Sequence, residues 1–242
     1  MKERSVLVVG SHGTIGQAIV LRLRELDYHV LTISRRKYTE NPEDHLQIDC
    51  SNADCVGDIQ AWLRSKEHPV DGVIHCAGML HGFGNDKAGS LPEKKLGDLN
   101  TSNLLEAMKT NVMSHVHAAQ AVSILLKRSQ PFKWISLSAK VGSIEDNALG
   151  GWYSYRMSKA ALNMMIKNLS IEWKRRAPHS TVVAVHPGTT PSELSEPFLE
   201  NHPPDLLYSP ALTAQRMVEI YEALTPETSG RLLHHDGSAI PW

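Results

Sequence analysis

The sequence has little of what marks secreted, membrane-spanning or nucleic-acid-binding proteins. It holds only three cysteines, Cys50, Cys55 and Cys76, with no CxxC pair, which is typical of incidental thiols in a reducing compartment rather than a disulfide framework. The formal net charge is -1, so no basic surface for nucleic acid or membrane is indicated. No apolar run approaches the roughly 18 residues of a membrane span, and Met1–Arg4 leads directly into a strand-like segment without room for a signal peptide. We therefore expect a cytoplasmic protein that binds neither nucleic acid nor membrane.

What the sequence does have is an alternation of short β-type runs and helical patterns along all 242 residues. Runs such as Ser5–Val9, His29–Ser34 and Phe132–Leu137 are apolar at most positions, as expected of strands buried on both faces. Neither a composition break nor an internal repeat divides the chain. The pattern predicts an α/β fold in a single domain spanning residues 1–242, a Rossmann-like doubly wound parallel sheet of about seven strands with helices on both faces.

A glycine-spaced turn follows the first predicted strand and precedes a helical pattern from Gln17 to Leu26. A strand, such a turn and a helix form the phosphate-binding part of dinucleotide-binding folds, because the glycines let the main chain approach a pyrophosphate at the helix N-terminus. The alternative is an ordinary strand-to-helix turn, since a glycine triplet alone is weak evidence. The predicted cofactor-binding residues of this turn are Gly10, Ser11, His12, Gly13, Thr14, Ile15 and Gly16.

The second predicted strand ends in Ser34, Arg35 and Arg36. An acidic residue at this point would bind the ribose hydroxyls of NAD, whereas a serine and two arginines suit the 2′-phosphate of NADP. The alternative is a solvated basic turn. The position favours NADP(H) as the cofactor.

Tyr155 and Lys159 lie four residues apart, just ahead of an apolar-periodic run from Ala160 to Trp173. On a helix this spacing puts the phenol and the ammonium on one face. A nearby cation favours the phenolate, so such a tyrosine can exchange a proton with an alcohol or alkoxide. An ordinary amphipathic helix is the alternative for this pair alone. Trp152, three residues before Tyr155, is a candidate to face a substrate.

Other segments carry weaker predictions. Asp49 follows a short third strand and is a candidate to meet an adenine amino group or to sit in the turn before the next helix. Cys76, Ala77 and Gly78 follow the fourth strand, where small residues would let a flat cofactor lie against the main chain.

The glycine-rich loop from His81 to Ser90 is expected to be flexible surface, and residues 191–210 are expected to form a lid over the substrate. Asn103–Arg128 is expected to be one long helical stretch. The thirteen histidines show no metal-binding spacing.

Three more features complete a set: Asn111 within Lys109-Thr110-Asn111-Val112, Ser138 at the end of the fifth strand, and Pro187-Gly188 after the sixth. With the glycine turn, Asp49, Cys76–Gly78 and the Tyr155/Lys159 pair, these pieces resemble the short-chain dehydrogenase/reductase family, in its order and over nearly the whole chain. The segment from Ser143 to Tyr155 and the closing Ile240-Pro241-Trp242 are similar to its C-factor-type branch.

The resemblance implies a catalytic set of Asn111, Ser138, Tyr155 and Lys159. Tyr155 would be the general acid/base, and Ser138 would hydrogen-bond the substrate carbonyl. Lys159 would hold the nicotinamide ribose and lower the pKa of Tyr155, and Asn111 would fix a water that links Lys159 to solvent. Ser136, on the same strand face as Ser138, is the alternative serine; the position of Ser138 nearer the strand end favours Ser138. The implied cofactor-binding residues are Tyr155, Lys159, Pro187, Gly188, Thr189 and Thr190.

These features predict an NADP(H)-dependent short-chain oxidoreductase that transfers a hydride between nicotinamide and a small carbonyl or alcohol substrate. One alternative is a non-catalytic NADP-binding signalling or regulatory protein. Another is a sugar-nucleotide epimerase, although the region after Pro187 is short for a separate substrate domain. The resemblance also implies a homodimer or homotetramer. No metal site is predicted.

Overall fold

The computed structural model describes residues 4–37, 41–82, 91–200 and 202–242. Eight strands of this described part form one sheet in the order β3-β2-β1-β4-β5-β6-β7-β8. The neighbouring pairs from β3 to β7 are parallel, and β8 runs antiparallel to β7. The strands are β1 Ser5–Val9, β2 His29–Ser34, β3 His45–Gln47, β4 Gly72–His75, β5 Phe132–Leu137, β6 Ser180–Val185, β7 Leu232–Leu233 and β8 Ala239–Ile240. The predicted α/β fold is confirmed, with one short antiparallel strand more than the seven expected.

Within the described residues, six α-helices cover the two faces of the sheet: α1 Thr14–Glu25, α2 Cys55–Arg64, α3 Thr101–Met108, α4 Ser114–Val122, α5 Tyr153–Arg176 and α6 Pro210–Ala223. On one face, Ile19 of α1 and Met217 of α6 pack against Val6 and Val8 of β1. On the other face lie α2, α4 and α5, packed against the alternate β1 residues such as Leu7. Because both faces are covered, the strands are apolar on both sides, which is why they lack a two-residue alternation.

One predicted helix differs from the structure. The stretch expected to be continuous over Asn103–Arg128 consists of α3, a π-helical turn at Lys109–Met113, and α4, followed by a short 3₁₀ turn at Ser123–Leu125. A π-helical turn holds one extra residue and often marks a functional site. Apolar periodicity continues through such a turn, so the sequence pattern did not reveal it.

The described residues test the two predicted loops only in part. Residues 83–90 of the glycine-rich loop lie outside the described residues, so that prediction is untested. The expected lid contains short 3₁₀ turns at Glu196–Phe198 and Pro204–Leu206, and residue 201 is outside the described part. None of the helices within the described ranges is both long and apolar enough to cross a membrane.

Candidate active site

A cleft of 340 Å³ opens at the carboxyl ends of β1, β2 and β4. In the sheet order, β1 lies between β2 and β4, so the chain reverses its winding direction at this point. Ligands of doubly wound sheets bind at such a reversal. The predicted cofactor residues that line the cleft are Gly10, His12, Gly13, Thr14, Ile15, Gly16, Ser34, Arg35, Arg36, Asp49, Cys76, Ala77 and Gly78. Ser192, Glu193 and Leu194 of the expected lid also line the cleft, and lining residues that the sequence did not single out include Ile48, Thr110 and Ser114.

The glycine turn is shaped by close main-chain packing. Gly10 has φ of +80°, and a Cβ there would lie 2.7 Å from the main-chain nitrogen of Ala77. A Cβ on Gly16 would collide with the main chain of Gly10. Glycine is therefore required at both positions, and the turn lies directly against the small segment after β4. Ser11 differs from its neighbours, because it is buried with its hydroxyl toward the Ile33 carbonyl at 3.4 Å.

The basic turn after β2 is tied to the glycine turn through Ser34. The Ser34 hydroxyl lies 2.8 Å from His12 Nδ1 and donates to the Arg36 carbonyl at 2.7 Å. Arg35 and Arg36 are exposed and border the cleft. Ser34 thus holds the main chain of the basic turn, leaving both guanidinium groups at the cleft edge.

Tyr155 and Lys159 lie one turn apart within α5, as their spacing predicts, and both are buried. Lys159 Nζ donates to the Leu137 carbonyl at 3.0 Å and lies 5.8 Å from the centre of the Tyr155 ring. Burial lowers the pKa of Lys159 to about 8. Burial also raises the pKa of Tyr155 above its ordinary value. This direction is opposite to the lowered Tyr155 pKa that the family resemblance implied.

Asn111 lies in the π-helical turn, completely buried. Its Nδ2 donates to the Met79 carbonyl and to Ser158 Oγ, both at 2.9 Å, and its Oδ1 accepts from the Met79 nitrogen at 2.7 Å. A Cβ on Gly78 would lie 3.3 Å from Lys159 Nζ and 3.5 Å from Asn111 Oδ1. Three predicted site residues, Gly78, Asn111 and Lys159, therefore meet at one point.

The two candidate serines of β5 have different partners. The Ser136 hydroxyl accepts from Trp134 Nε1 at 2.8 Å and lies 2.9 Å from His115 Nδ1, with no exposed surface. The Ser138 hydroxyl donates to Asn163 Oδ1 at 2.7 Å. Ser136 thus forms its hydrogen bonds within the core, which favours Ser138 as the serine of the candidate active site.

The chain turns into α5 through three consecutive left-handed residues, Gly150, Gly151 and Trp152, with φ of +65°, +66° and +51°. Glu93, buried in a distant loop, accepts from the Trp152 nitrogen through its main-chain oxygen at 2.5 Å, and from the Ser154 nitrogen through its carboxylate at 3.1 Å. Glu93 had no predicted role, because nothing in its local sequence shows that it reaches α5. Asn163 was also missed, although its spacing of four from Lys159 on one helix could have indicated it.

Seven predicted cofactor residues are not among those lining the cleft: Ser11, Tyr155, Lys159, Pro187, Gly188, Thr189 and Thr190. The Thr190 hydroxyl is buried 2.7 Å from that of Thr213 in α6. Gly188 has φ of +81° and lies against the Tyr208 ring. Asp49 lines the cleft and its Oδ1 accepts from the Ser51 nitrogen at 2.9 Å, so it forms the turn that was its alternative role.

The sequence profile described as short chain dehydrogenase matches residues 4–203. The chain belongs to the short-chain dehydrogenase family. The buried Tyr155/Lys159 pair beside the cleft is thus found in a chain from a family of oxidoreductases, and the predicted family resemblance is confirmed.

The proteins similar to this chain have names that describe different activities or roles. The chain is 28% identical to a 1-hydroxy-2-glutathionyl-2-methyl-3-butene dehydrogenase of Rhodococcus sp. (strain AD45), over 98% of this chain and 99% of that protein. It is also 28% identical to the C-signal protein of Myxococcus xanthus, over 61% of this chain and 83% of that protein. The NADPH-bound carbonyl reductase from chicken fatty liver superposes with a TM-score of 0.81 at 21% identity, covering 100% of this chain and 95% of that one. The last similarity concerns the fold.

Proposed function

We propose that this short-chain dehydrogenase is an NADP(H)-dependent carbonyl reductase, or the reverse alcohol dehydrogenase, with Tyr155 as general acid/base. The observation that carries the proposal is the burial of Tyr155 and Lys159, one helical turn apart, with Lys159 Nζ close to Gly78 of the cleft that Arg35 and Arg36 border. A proton donor next to a phosphate-binding cleft is what hydride transfer from NADPH to a carbonyl needs.

The cleft residues fit NADP(H). The glycine turn offers main-chain nitrogens without side chains in the way, and the small residues at 76–78 leave a flat surface. Arg35 and Arg36 supply guanidinium groups suited to a 2′-phosphate. When bound, the cofactor would supply or accept the hydride. The NADPH-bound carbonyl reductase with the same fold supports this assignment.

The residues of the chain account for the proton. In reduction, the Tyr155 hydroxyl donates its proton to the carbonyl oxygen as a C–H bond forms at the carbonyl carbon. The raised pKa of Tyr155 keeps the phenol protonated at neutral pH, the form that donates a proton in reduction. Ser138 would turn its hydroxyl from Asn163 Oδ1 to the substrate oxygen, and Lys159 would hold the ribose. Asn111 fixes the Met79 segment and Ser158 beneath the site.

The first experiment is a fluorescence titration of the purified protein with NADPH and, in parallel, NADH. Tight NADPH binding with weak NADH binding is expected, and a carbonyl screen would follow. Equal or better NADH binding would make the basic turn a solvated surface and overturn the NADP assignment. Binding of neither nucleotide would contradict the oxidoreductase function.

The second candidate is a non-catalytic NADP-binding signalling or regulatory protein, and the similarity to C-signal is the observation that favours it. It predicts tight cofactor binding without oxidation of NADPH by any carbonyl. The presence of both Tyr155 and Lys159 favours the enzyme, because a sensor needs no proton donor.

We also propose that the protein is cytoplasmic and forms a homodimer or homotetramer. Met157, Met164 and Ile171 are exposed at intervals of seven residues on α5, so they follow one helix face. Light scattering tests the assembly, and a monomer would contradict it.

A further inference from the structure

An apolar cluster surrounds the ring of Tyr155. Leu80 and Ala139 are buried with it. Val141, Trp152, Leu194 and Phe198 pack around them and are partly buried. The Trp152 ring meets the Tyr155 ring edge-on with centres 6.3 Å apart, and lies 4.9 Å from the Phe198 ring at 50°. The proposed proton donor is therefore bordered by two further aromatic rings.

Trp152 does not adopt its backbone conformation by intrinsic preference. Its φ of +51° is left-handed, a region that disfavours side chains larger than glycine. The main-chain oxygen of Glu93 accepts from its nitrogen at 2.5 Å, and its own carbonyl accepts from the Arg156 nitrogen at 2.8 Å. Unfavourable conformations that persist through such contacts cluster at active sites and ligand clamps. The indole is thus held in a fixed place beside Tyr155.

The nearby cations among the described residues are already engaged. Arg156 Nε donates to the carbonyls of Gly150 and Gly151 at 3.1 Å, turning its guanidinium toward the main chain. Lys159 donates to a carbonyl, and Lys140 pairs with Asp146 at 3.3 Å. His81 Nε2 lies 3.1 Å from the carbonyls of Glu193 and Leu194. A substrate carboxylate placed here would lose water without gaining an unengaged partner from these described residues, which is costly.

We propose that Trp152 is a specificity-determining residue that, with Phe198, selects uncharged carbonyl substrates carrying a flat aromatic group. This inference rests on the proposed function and names the substrate class of the same site. An aromatic ring bound against Trp152 gains edge-to-face or offset-stacked contacts that a saturated ring of similar size does not. The bound ring also replaces the contact that Trp152 makes with Phe198, so the apolar surface of the indole stays covered.

The test compares kcat/KM for benzaldehyde, cyclohexanecarbaldehyde and 4-carboxybenzaldehyde in the wild type and in Trp152→Ala. Ratios between the two proteins cancel the intrinsic reactivity of each aldehyde. We expect Trp152→Ala to lower the preference for benzaldehyde over cyclohexanecarbaldehyde at least about tenfold. Trp152→Phe should retain most of it, and Trp62→Ala, a control on α2, should leave the ratio unchanged. Phe198→Ala provides the same comparison if Trp152→Ala does not fold.

A second measurement separates the inference from the proposed function. Benzamide, which keeps the flat ring and the carbonyl but resists reduction, is titrated by calorimetry into the protein with NADP⁺. If Trp152→Ala weakens benzamide binding at least about tenfold, the inference is supported. This holds even if no aldehyde is reduced, and that result would contradict only the reductase function. The inference is overturned if all three aldehydes are reduced and Trp152→Ala does not change the ratios of their kcat/KM values. It is also overturned if both proteins bind benzamide equally. Either result leaves the reductase function standing.

Discussion

The carboxylate of Glu93 accepts hydrogen bonds from both the main-chain nitrogen and the hydroxyl of Ser154, 61 residues further along the chain. Ser154 lies in the first turn of α5, directly before Tyr155, and this turn contains no acidic residue of its own. A helix N-terminus carries unsatisfied N–H groups and partial positive charge, which a carboxylate stabilises. Glu93 therefore anchors the start of the helix that carries the proposed catalytic pair.

Replacing Glu93 by alanine should destabilise the protein and lower turnover together. Charged hydrogen bonds contribute about 1.5–3 kcal/mol each, and the loss leaves Ser154 unpaired in a buried position. We expect a decrease of about that size in the free energy of unfolding, measured in urea, and a smaller kcat because the first turn of α5, which carries Tyr155, loses its anchor. Lys94→Ala, at the exposed neighbouring position, is the control.

Double substitution makes the Glu93 test specific. If the two residues act as a pair, Glu93→Ala should cost less in a Ser154→Ala background than in the wild type. Additive losses would show that the hydrogen bond to the Ser154 hydroxyl contributes nothing, and would contradict the anchoring role of that contact.

Tyr155→Phe should remove catalysis while leaving the cofactor site intact. General acid catalysis contributes about 10²–10⁴-fold to a rate, so we expect a loss of at least that order in kcat. The substitution removes one oxygen from a buried ring, so NADPH affinity measured by fluorescence should be unchanged. Tyr153→Phe, two residues earlier on the same helix, is the matched control and should keep full activity. Turnover by Tyr155→Phe at the wild-type rate would refute the role of the phenol.

Arg35→Ser and Arg36→Ser should weaken NADPH binding and leave NADH binding nearly unchanged. A charge-assisted contact to phosphate contributes about 1.5–3 kcal/mol, which corresponds to about 10–150-fold in Kd. The effect should shrink at high salt, because both side chains are exposed and screened. Lys37→Ser, at the next exposed position, should have less effect. An equal loss for both nucleotides would indicate general disruption of the turn rather than recognition of the 2′-phosphate.

Local patterns sufficed for much of the fold and part of the site. Ser5–Val9, His29–Ser34 and Phe132–Leu137 are strands at the predicted bounds, because buried parallel strands are short apolar runs that glycine or polar residues interrupt. The glycine turn, the basic turn and the small residues after β4 meet in one cleft, since the carboxyl ends of neighbouring parallel strands lie at one edge.

Contacts between distant segments could not be predicted in this way. Nothing around Glu93 or Ser154 shows that they meet, and the left-handed φ of Trp152 follows from tertiary contacts against its local preference. The pKa of Tyr155 was expected to fall because the sequence shows Lys159 nearby, but the sequence does not show the degree of burial, and burial raises this pKa. Spacing therefore identifies which groups share a face, while their protonation depends on solvent exposure that only the packed structure defines.

The stacked pair His75 and His115 should make the protein sensitive to acid. The two rings lie 3.6 Å apart in the core, and burial lowers the pKa of His75 to about 3 and that of His115 well below its ordinary value. Between pH 6.5 and 3 the unfolded chain therefore binds protons at these positions that the folded protein does not. The free energy of unfolding is thus highest above pH 6.5 and should fall as the pH decreases, by about 1.4 kcal/mol per pH unit for each such histidine.

His75→Phe provides the test of this acid sensitivity. Phenylalanine can keep the stacking on His115 and removes a ring whose Nδ1 is buried without a hydrogen-bond partner among the described residues, while its Nε2 lies 3.2 Å from the Ser114 carbonyl. Urea unfolding at pH 7, 6 and 5 should give a slope smaller by about one proton than in the wild type. His179→Gln, an exposed control, should leave the slope unchanged. Equal pH dependence of stability in His75→Phe and the wild type would show that His75 binds protons equally in the folded and unfolded states, and would contradict its lowered pKa.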